Sequence, residues 1–250
     1  DNLQYTKKLK AKDKAGEGQA FGNLGIAYNN QCDFHKAIQY HERDLQIAKE
    51  VGDKAREGQA YGNLGNANHR LADFHKAIEC HECRLQIAKE VGDKAGEGQA
   101  YGDLGIPYQS LGDFHKAIEY HECHLQIAKE VGDKTGEGRA YGNLGIAYRG
   151  LGDFHKAIKY HECHLQIAKK VGDKAREGGA YGNLGNAYIG LGDFHKAIEY
   201  HESRLQIAKE VGDKAGKGEA YGNLGIAYQS LGDFQRAMEY HECHLQIAKE

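Results

Sequence analysis

Three short motifs carry side chains that could do chemistry. His-Glu-Cys-His occurs at residues 121–124, 161–164 and 241–244, and offers imidazole and thiol donors to a metal ion. Cys-His-Glu-Cys at residues 80–83 has the spacing of a redox dithiol. The run Gly-Glu-Gly-Gln-Ala-Tyr-Gly at residues 96–102 has the glycine density of a phosphate loop. Each motif fails on position. On a helix, His121 and Cys123 point about 160° apart and cannot share one ion. His121 and His124 share a face, but no third ligand joins them, and Leu125 stands where an HExxH motif needs its second histidine. Cys80 and Cys83 fall in mid-helix, not at a helix N-terminus after a strand. The glycine run has no preceding strand and no Gly-Lys-Ser/Thr ending. Cys83, Cys123, Cys163 and Cys243 are separated by whole repeats, and helices packed about 8–10 Å apart hold them beyond disulfide reach. No nucleophile, base and orienting acid stand together except as products of repetition. We therefore expect no enzyme, no metal and no cofactor.

The totals narrow the partners. The chain has 250 residues and a formal net charge of −3, which argues against nucleic acid. No apolar run approaches a membrane span, and the polar start shows no signal-peptide core. Six cysteines without a compact framework point to the cytoplasm.

What positions every one of these side chains is a repeat. Leu24, Leu64, Leu104, Leu144, Leu184 and Leu224 step by 40, as do Phe34, Phe74, Phe114, Phe154, Phe194 and Phe234. We read a helix tail or cap over residues 1–12 and one array over 13–250, with units 13–52, 53–92, 93–132, 133–172, 173–212 and 213–250. The last unit stops where the next would open, as expected of a slice of a longer array. Each unit reads as two helices, for example Lys54 to Arg70 and Phe74 to Val91. Gly52-Asp53 and Ala72-Asp73 supply a stop and an N-cap before each.

On the first helix, Ala60, Leu64, Ala67, Asn68 and Leu71 form a core face. Gly58, Gly62 and Gly65 form a second face, at a cost of about 1 kcal/mol each against alanine. Two readings offset that cost: a neighbouring helix approaches closely, or a bare groove floor admits a peptide backbone. On the second helix, Phe114, Ala117, Ile118, His121, Leu125 and Ala128 form the apolar stripe. His41, His81, His121, His161, His201 and His241 occupy one stacked, buried position, so acidification to pH 5 should loosen the units together. Pro107 replaces an alanine inside its helix; we expect the helix to survive with a local kink or a missing backbone hydrogen bond at Asp103–Pro107, and Ile106 pushed toward an extended backbone.

The unit resembles the tetratricopeptide repeat. Tyr101, Leu104, Gly105, Tyr108, Gly112, Phe114 and Ala117 stand at that family's signature spacing. The period of 40 is longer than the common 34. His121 stands where a second aromatic is usual. His124 (Asp44, Arg84 and Arg204 in other units) stands where a small alanine is usual. Gly-Asp replaces the terminal proline. The longer unit looks like the Pins/LGN type. That resemblance implies an all-α fold, an α-solenoid in which helical hairpins wind a right-handed superhelix. Its inner groove would bind extended segments of partner proteins.

Differences between units locate the groove. Variation concentrates on one stripe of the first helix, which the resemblance assigns to the concave side. The expected peptide-binding residues are Gln59, Asn63, Asn66, Arg70, Gln99, Asp103, Arg139, Asn143, Asn183, Asn186 and Asn223. An asparagine ladder can donate to and accept from an extended backbone, and arginine can pair with carboxylates. The expected function is a scaffold that binds a protein or peptide. Two alternatives are end-to-end stacking through exposed terminal repeats and a sensor array of a larger protein.

Overall fold

A computed structural model describes residues 2–249, with side chains from residue 13 onward. The reading of residues 1–12 as a cap therefore lies outside the described side chains. Helices account for all regular structure among the described residues. They fall into two compact units, Asp1–Val131 and Gly132–Glu250. The first holds α1 (Asn2–Asn30), α2 (Phe34–Val51), α3 (Lys54–Arg70), α4 (Phe74–Val91), α5 (Lys94–Ser110) and α6 (Phe114–Val131). The second holds α7 (Lys134–Gly150), α8 (Phe154–Val171), α9 (Lys174–Leu191), α10 (Phe194–Val211), α11 (Lys214–Ser230) and α12 (Phe234–Lys249). Each unit is a short α-solenoid of three antiparallel hairpins, and each helix packs on the next within its unit.

Punctuation sets the ends. Gly52 takes φ 75° as the residue after α2, and Asp53 N–H returns to the Ala48 carbonyl at 2.9 Å. The Asp53 carboxylate then accepts from Arg56 N–H at 3.0 Å and caps α3. The turn inside the hairpin needs the same left-handed residue. Gly112, Gly152, Gly192 and Gly232 supply it, but Cys32 and Ala72 adopt φ 61° there, in a region that penalises a Cβ.

The core is built of small and branched side chains. In the first unit Ile78 and Leu85 of α4 pack on Ala100 and Leu104 of α5, with Tyr101, Tyr108 and Tyr120 around them. In the second, Ile198 and Leu205 of α10 pack on Ala220, Leu224 and Tyr228 of α11.

The glycine face is a packing face. A Cβ at Gly65 would lie 2.6 Å from Nε2 of His81, and one at Gly105 would lie 2.6 Å from Nδ1 of His121. One residue is glycine so that the next helix can lay an imidazole flat against its backbone. Gly58 similarly receives Ile87, and Gly62 receives Arg84. Close packing thus accounts for Gly65 and Gly105, while Gly58 and Gly62 also border the hollow between α3 and α5. It also explains why histidine replaces the usual second aromatic: a five-membered ring fits where the backbones approach closely. His41, His81, His121, His161 and His201 are buried, whereas His241 on α12 is exposed, against the expectation of six. Burial there needs the first helix of a following repeat, and α12 is covered from one side only among the described residues.

One backbone expectation fails. α5 runs unbroken from Lys94 to Ser110, so Ile106 is helical, not extended. Only three helical residues follow Pro107, and its ring is fully buried. Extending the backbone at Ile106 would unseat Leu104 and Gly105, which are both buried. Losing one hydrogen bond is the smaller cost. Alanine fits the same buried position at Ala67, Ala147, Ala187 and Ala227. Pro107→Ala should thus restore a bond and raise stability by roughly 1–2 kcal/mol, after the lost ring packing is subtracted. A higher melting temperature by circular dichroism checks this, and an earlier melt contradicts it.

Candidate functional site

The first-helix stripe borders a hollow of about 530 Å³ in the first unit. Gln59, Asn63 and Asn66 of α3 form one side, and Gln99 of α5 the other. They stand together because they recur about one helical turn apart on the side of α3 away from its core residues. Gln59 and Asn66 are exposed and Asn63 is half-buried. The floor comes from α4, as Arg84, Ile87 and Ala88. These second-helix residues were not among the expected contacts. Their signal was present in the sequence, since the position of Arg84 varies between units and departs from the family's small residue.

Arg84 organises the wall. Its Nη1 donates to a carboxylate oxygen of Asp103, and its Nη2 donates to Gln99 Oε1 at 2.8 Å. Asp103, the one acid in the asparagine ladder, is thus the partner of Arg84. The same logic recurs at the equivalent positions. Asp44 of α2 accepts from Arg56 Nε of α3 at 2.5 Å. Burial pushes the Asp44 carboxyl up, and Arg56 opposes that shift. In the second unit Arg204 of α10 meets Asp213 at 3.2 Å and Glu219 at 3.6 Å. Charges on the second helix are thus matched by the first helix of the next repeat. The stripe is only in part a freely solvated surface.

The other expected residues are distributed. Arg70 lies outside the hollow, with its guanidinium 5.3 Å from the Phe34 ring centroid. In the second unit Arg139 is exposed, while Asn143, Asn183, Asn186 and Asn223 are half-buried on the equivalent stripe. The motif imidazoles serve the packing. His121 lies on Gly105 and His124 faces Gly98 and Gly102, so both rings sit between helices. All six cysteines are free thiols.

The fold recurs in solved structures. BtubC from P. vanneervenii aligns with a TM-score of 0.77 and 26% identity, over 86% of this chain and 91% of that one. A signal-transduction ATPase with numerous domains and a tetratricopeptide repeat sensor, from Pyrococcus horikoshii, aligns with a TM-score of 0.78 and 21% identity. That match covers 94% of this chain but 37% of the larger protein. A Rap protein complexed with Competence and Sporulation Factor aligns with a TM-score of 0.73 and 15% identity, over 92% and 74% of the two chains. No curated protein sequence matches. The tetratricopeptide repeat model matches residues 17–90, 93–170 and 177–250, and the chain belongs to the tetratricopeptide repeat family.

Proposed function

We propose that the chain is a non-catalytic scaffold whose first-helix stripe holds an extended segment of a partner protein. The observation that carries this reading is the hollow between α3 and α5. There Gln59, Asn63, Asn66 and Gln99 present amide donors and acceptors over a floor of Ile87 and Ala88. An extended peptide has unpaired backbone N–H and C=O groups at regular intervals, and carboxamides can serve both. Arg84, already bridged to Asp103, keeps that wall rigid, which lowers the ordering cost of binding. The equivalent stripe in the second unit, with Arg139, Asn143, Asn183, Asn186 and Asn223, would serve the same purpose there. The Rap protein of the same fold, solved with Competence and Sporulation Factor, supports the reading by analogy of fold alone. Among the described residues no helix is long and apolar enough to cross a membrane. The cytoplasm is the compartment this reading implies.

Selection from a phage-displayed library of random dodecapeptides tests it. Peptides enriched on the wild-type chain should bind the triple variant Gln59→Ala, Asn63→Ala, Asn66→Ala at least tenfold more weakly. The melting temperature should move little, since Gln59 and Asn66 are exposed and Asn63 is only half-buried, and polar positions outside the core rarely contribute more than about 0.5 kcal/mol each. Equal binding by the variant would place the contacts elsewhere.

A further inference from the structure

Five of the six repeats carry a stacked tyrosine pair. Tyr28 and Tyr40 lie 5.2 Å apart between ring centroids, Tyr108 and Tyr120 5.4 Å, and Tyr148 and Tyr160 5.3 Å. Tyr188 and Tyr200 lie 5.3 Å apart, and Tyr228 and Tyr240 5.4 Å. A cation caps the first ring of each pair. Lys36, Lys116, Lys156 and Lys196 stand 4.8–5.1 Å from the centroid, and Arg236 stands at 4.5 Å.

The second repeat departs at both positions at once. Asn68 replaces the first tyrosine and Cys80 replaces the second. The frame around them is unchanged. Asp73 N–H still donates to the Asn68 carbonyl at 3.0 Å, against 2.9–3.0 Å to the tyrosine carbonyls elsewhere. Lys76 is still held by Asp73 at 3.2 Å, within the 3.0–3.9 Å of the matching pairs in the four other lysine-bearing repeats. The Asn68 side chain turns back to the Leu64 carbonyl at 2.8 Å and does not fill the space. What remains is a hollow of about 590 Å³ between α2 and α4 over α3, with Ile38, Leu64 and Leu71 as its apolar lining and Glu42 and Glu79 in its wall. It shares no lining residue with the hollow between α3 and α5.

We propose that this hollow is a docking site for a tyrosine side chain of a partner protein. The occupant is identified by the chain's own other repeats. At the same place on the same backbone they seat a phenol ring against a branched apolar side chain and beneath a lysine. Apolar contact and the cation over the ring face would hold the incoming ring. Glu42 or Glu79 could accept a hydrogen bond from its hydroxyl. The site goes beyond the peptide stripe, since it lies on different residues and would fix a second point of the same or another partner.

The test uses saturation-transfer NMR on the 250-residue chain, with p-cresol and N-acetyl-tyrosine amide as probes. Both probes should receive saturation from the wild-type chain. Asn68→Tyr/Cys80→Tyr, which rebuilds the internal pair, should reduce that transfer at least fivefold and raise the melting temperature. The aliphatic analogue 4-methylcyclohexanol should receive clearly less than p-cresol. Equal transfer in the rebuilt variant, equal transfer to the aliphatic analogue, or no transfer at all would overturn the proposal. Loss of helicity in the rebuilt variant would overturn it too, because the other repeats hold that pair on this backbone.

Discussion

Lowering the pH from 7 to 5 is expected to cost the fold on the order of 10 kcal/mol and to melt its helices cooperatively. Five histidines are responsible. Burial lowers His41, His81 and His201 to about 4, and His121 and His161 to about 3, each from an ordinary 6.5. Neighbouring Arg84 adds to the shift of His81, and His124 to that of His121. The folded chain therefore keeps these rings neutral while the unfolded chain protonates them. Their contribution is fully present above pH 6.5 and is lost as the pH falls toward 4 and 3. At pH 5 each ring costs about 2 kcal/mol, and five together rival the whole stability of a domain, about 5–15 kcal/mol. The capping Asp73 does not act in this window. Hydrogen bonds from Lys76 hold Asp73 below its ordinary 3.8, so its contribution is lost only at lower pH. Ellipticity at 222 nm across pH 7.5 to 4 checks the expectation. Full helicity retained at pH 4 would contradict it.

The second large effect concerns a single hydrogen-to-methyl change. Gly105→Ala should destabilise the chain by about 2–3 kcal/mol, although alanine is the better helix former by about 1 kcal/mol. The new Cβ would meet His121 Nδ1 at 2.6 Å, and that ring is fully buried with no room to retreat. Gly179→Ala is the matched control. Gly179 also lies inside a helix, but nothing stands within 4 Å of its Cβ position. There the propensity gain is unopposed, and stability should rise by about 1 kcal/mol. Urea melts of the two variants should move in opposite directions. A stabilised Gly105→Ala would mean that the imidazole does not rest on that backbone.

How much of this was legible in sequence depended on whether the signal was local. Lys54–Arg70 and Phe74–Val91 are helices as expected, because Gly52, Asp53, Ala72 and Asp73 punctuate the chain with side chains that act within a few residues. Pro107 is local too, yet it misled at Ile106. Its intrinsic preference was overruled by the packing of Leu104 and Gly105. The contact between Gly105 and His121 could not be read, since both letters are the same in every repeat and nothing varies to link them. Arg84 and Asp103 both vary, but Arg204 at the position of Arg84 is followed by Asn223 and not by an acid at the position of Asp103, so comparing units could not have joined them. Gln59, Asn63 and Asn66 were legible as a stripe, but their floor of Ile87 and Ala88 comes from another helix. A face on one helix does not say what lies opposite.

Site-directed photo-crosslinking of a library-selected peptide tests the central claim most directly. A benzoylphenylalanine replacing Gln59, on the α3 stripe, should capture the peptide. The same group replacing Gln86, exposed on α4 and absent from the hollow's lining, should not. Capture from position 86 with none from position 59 would show that the first-helix stripe is not where this chain binds its partner.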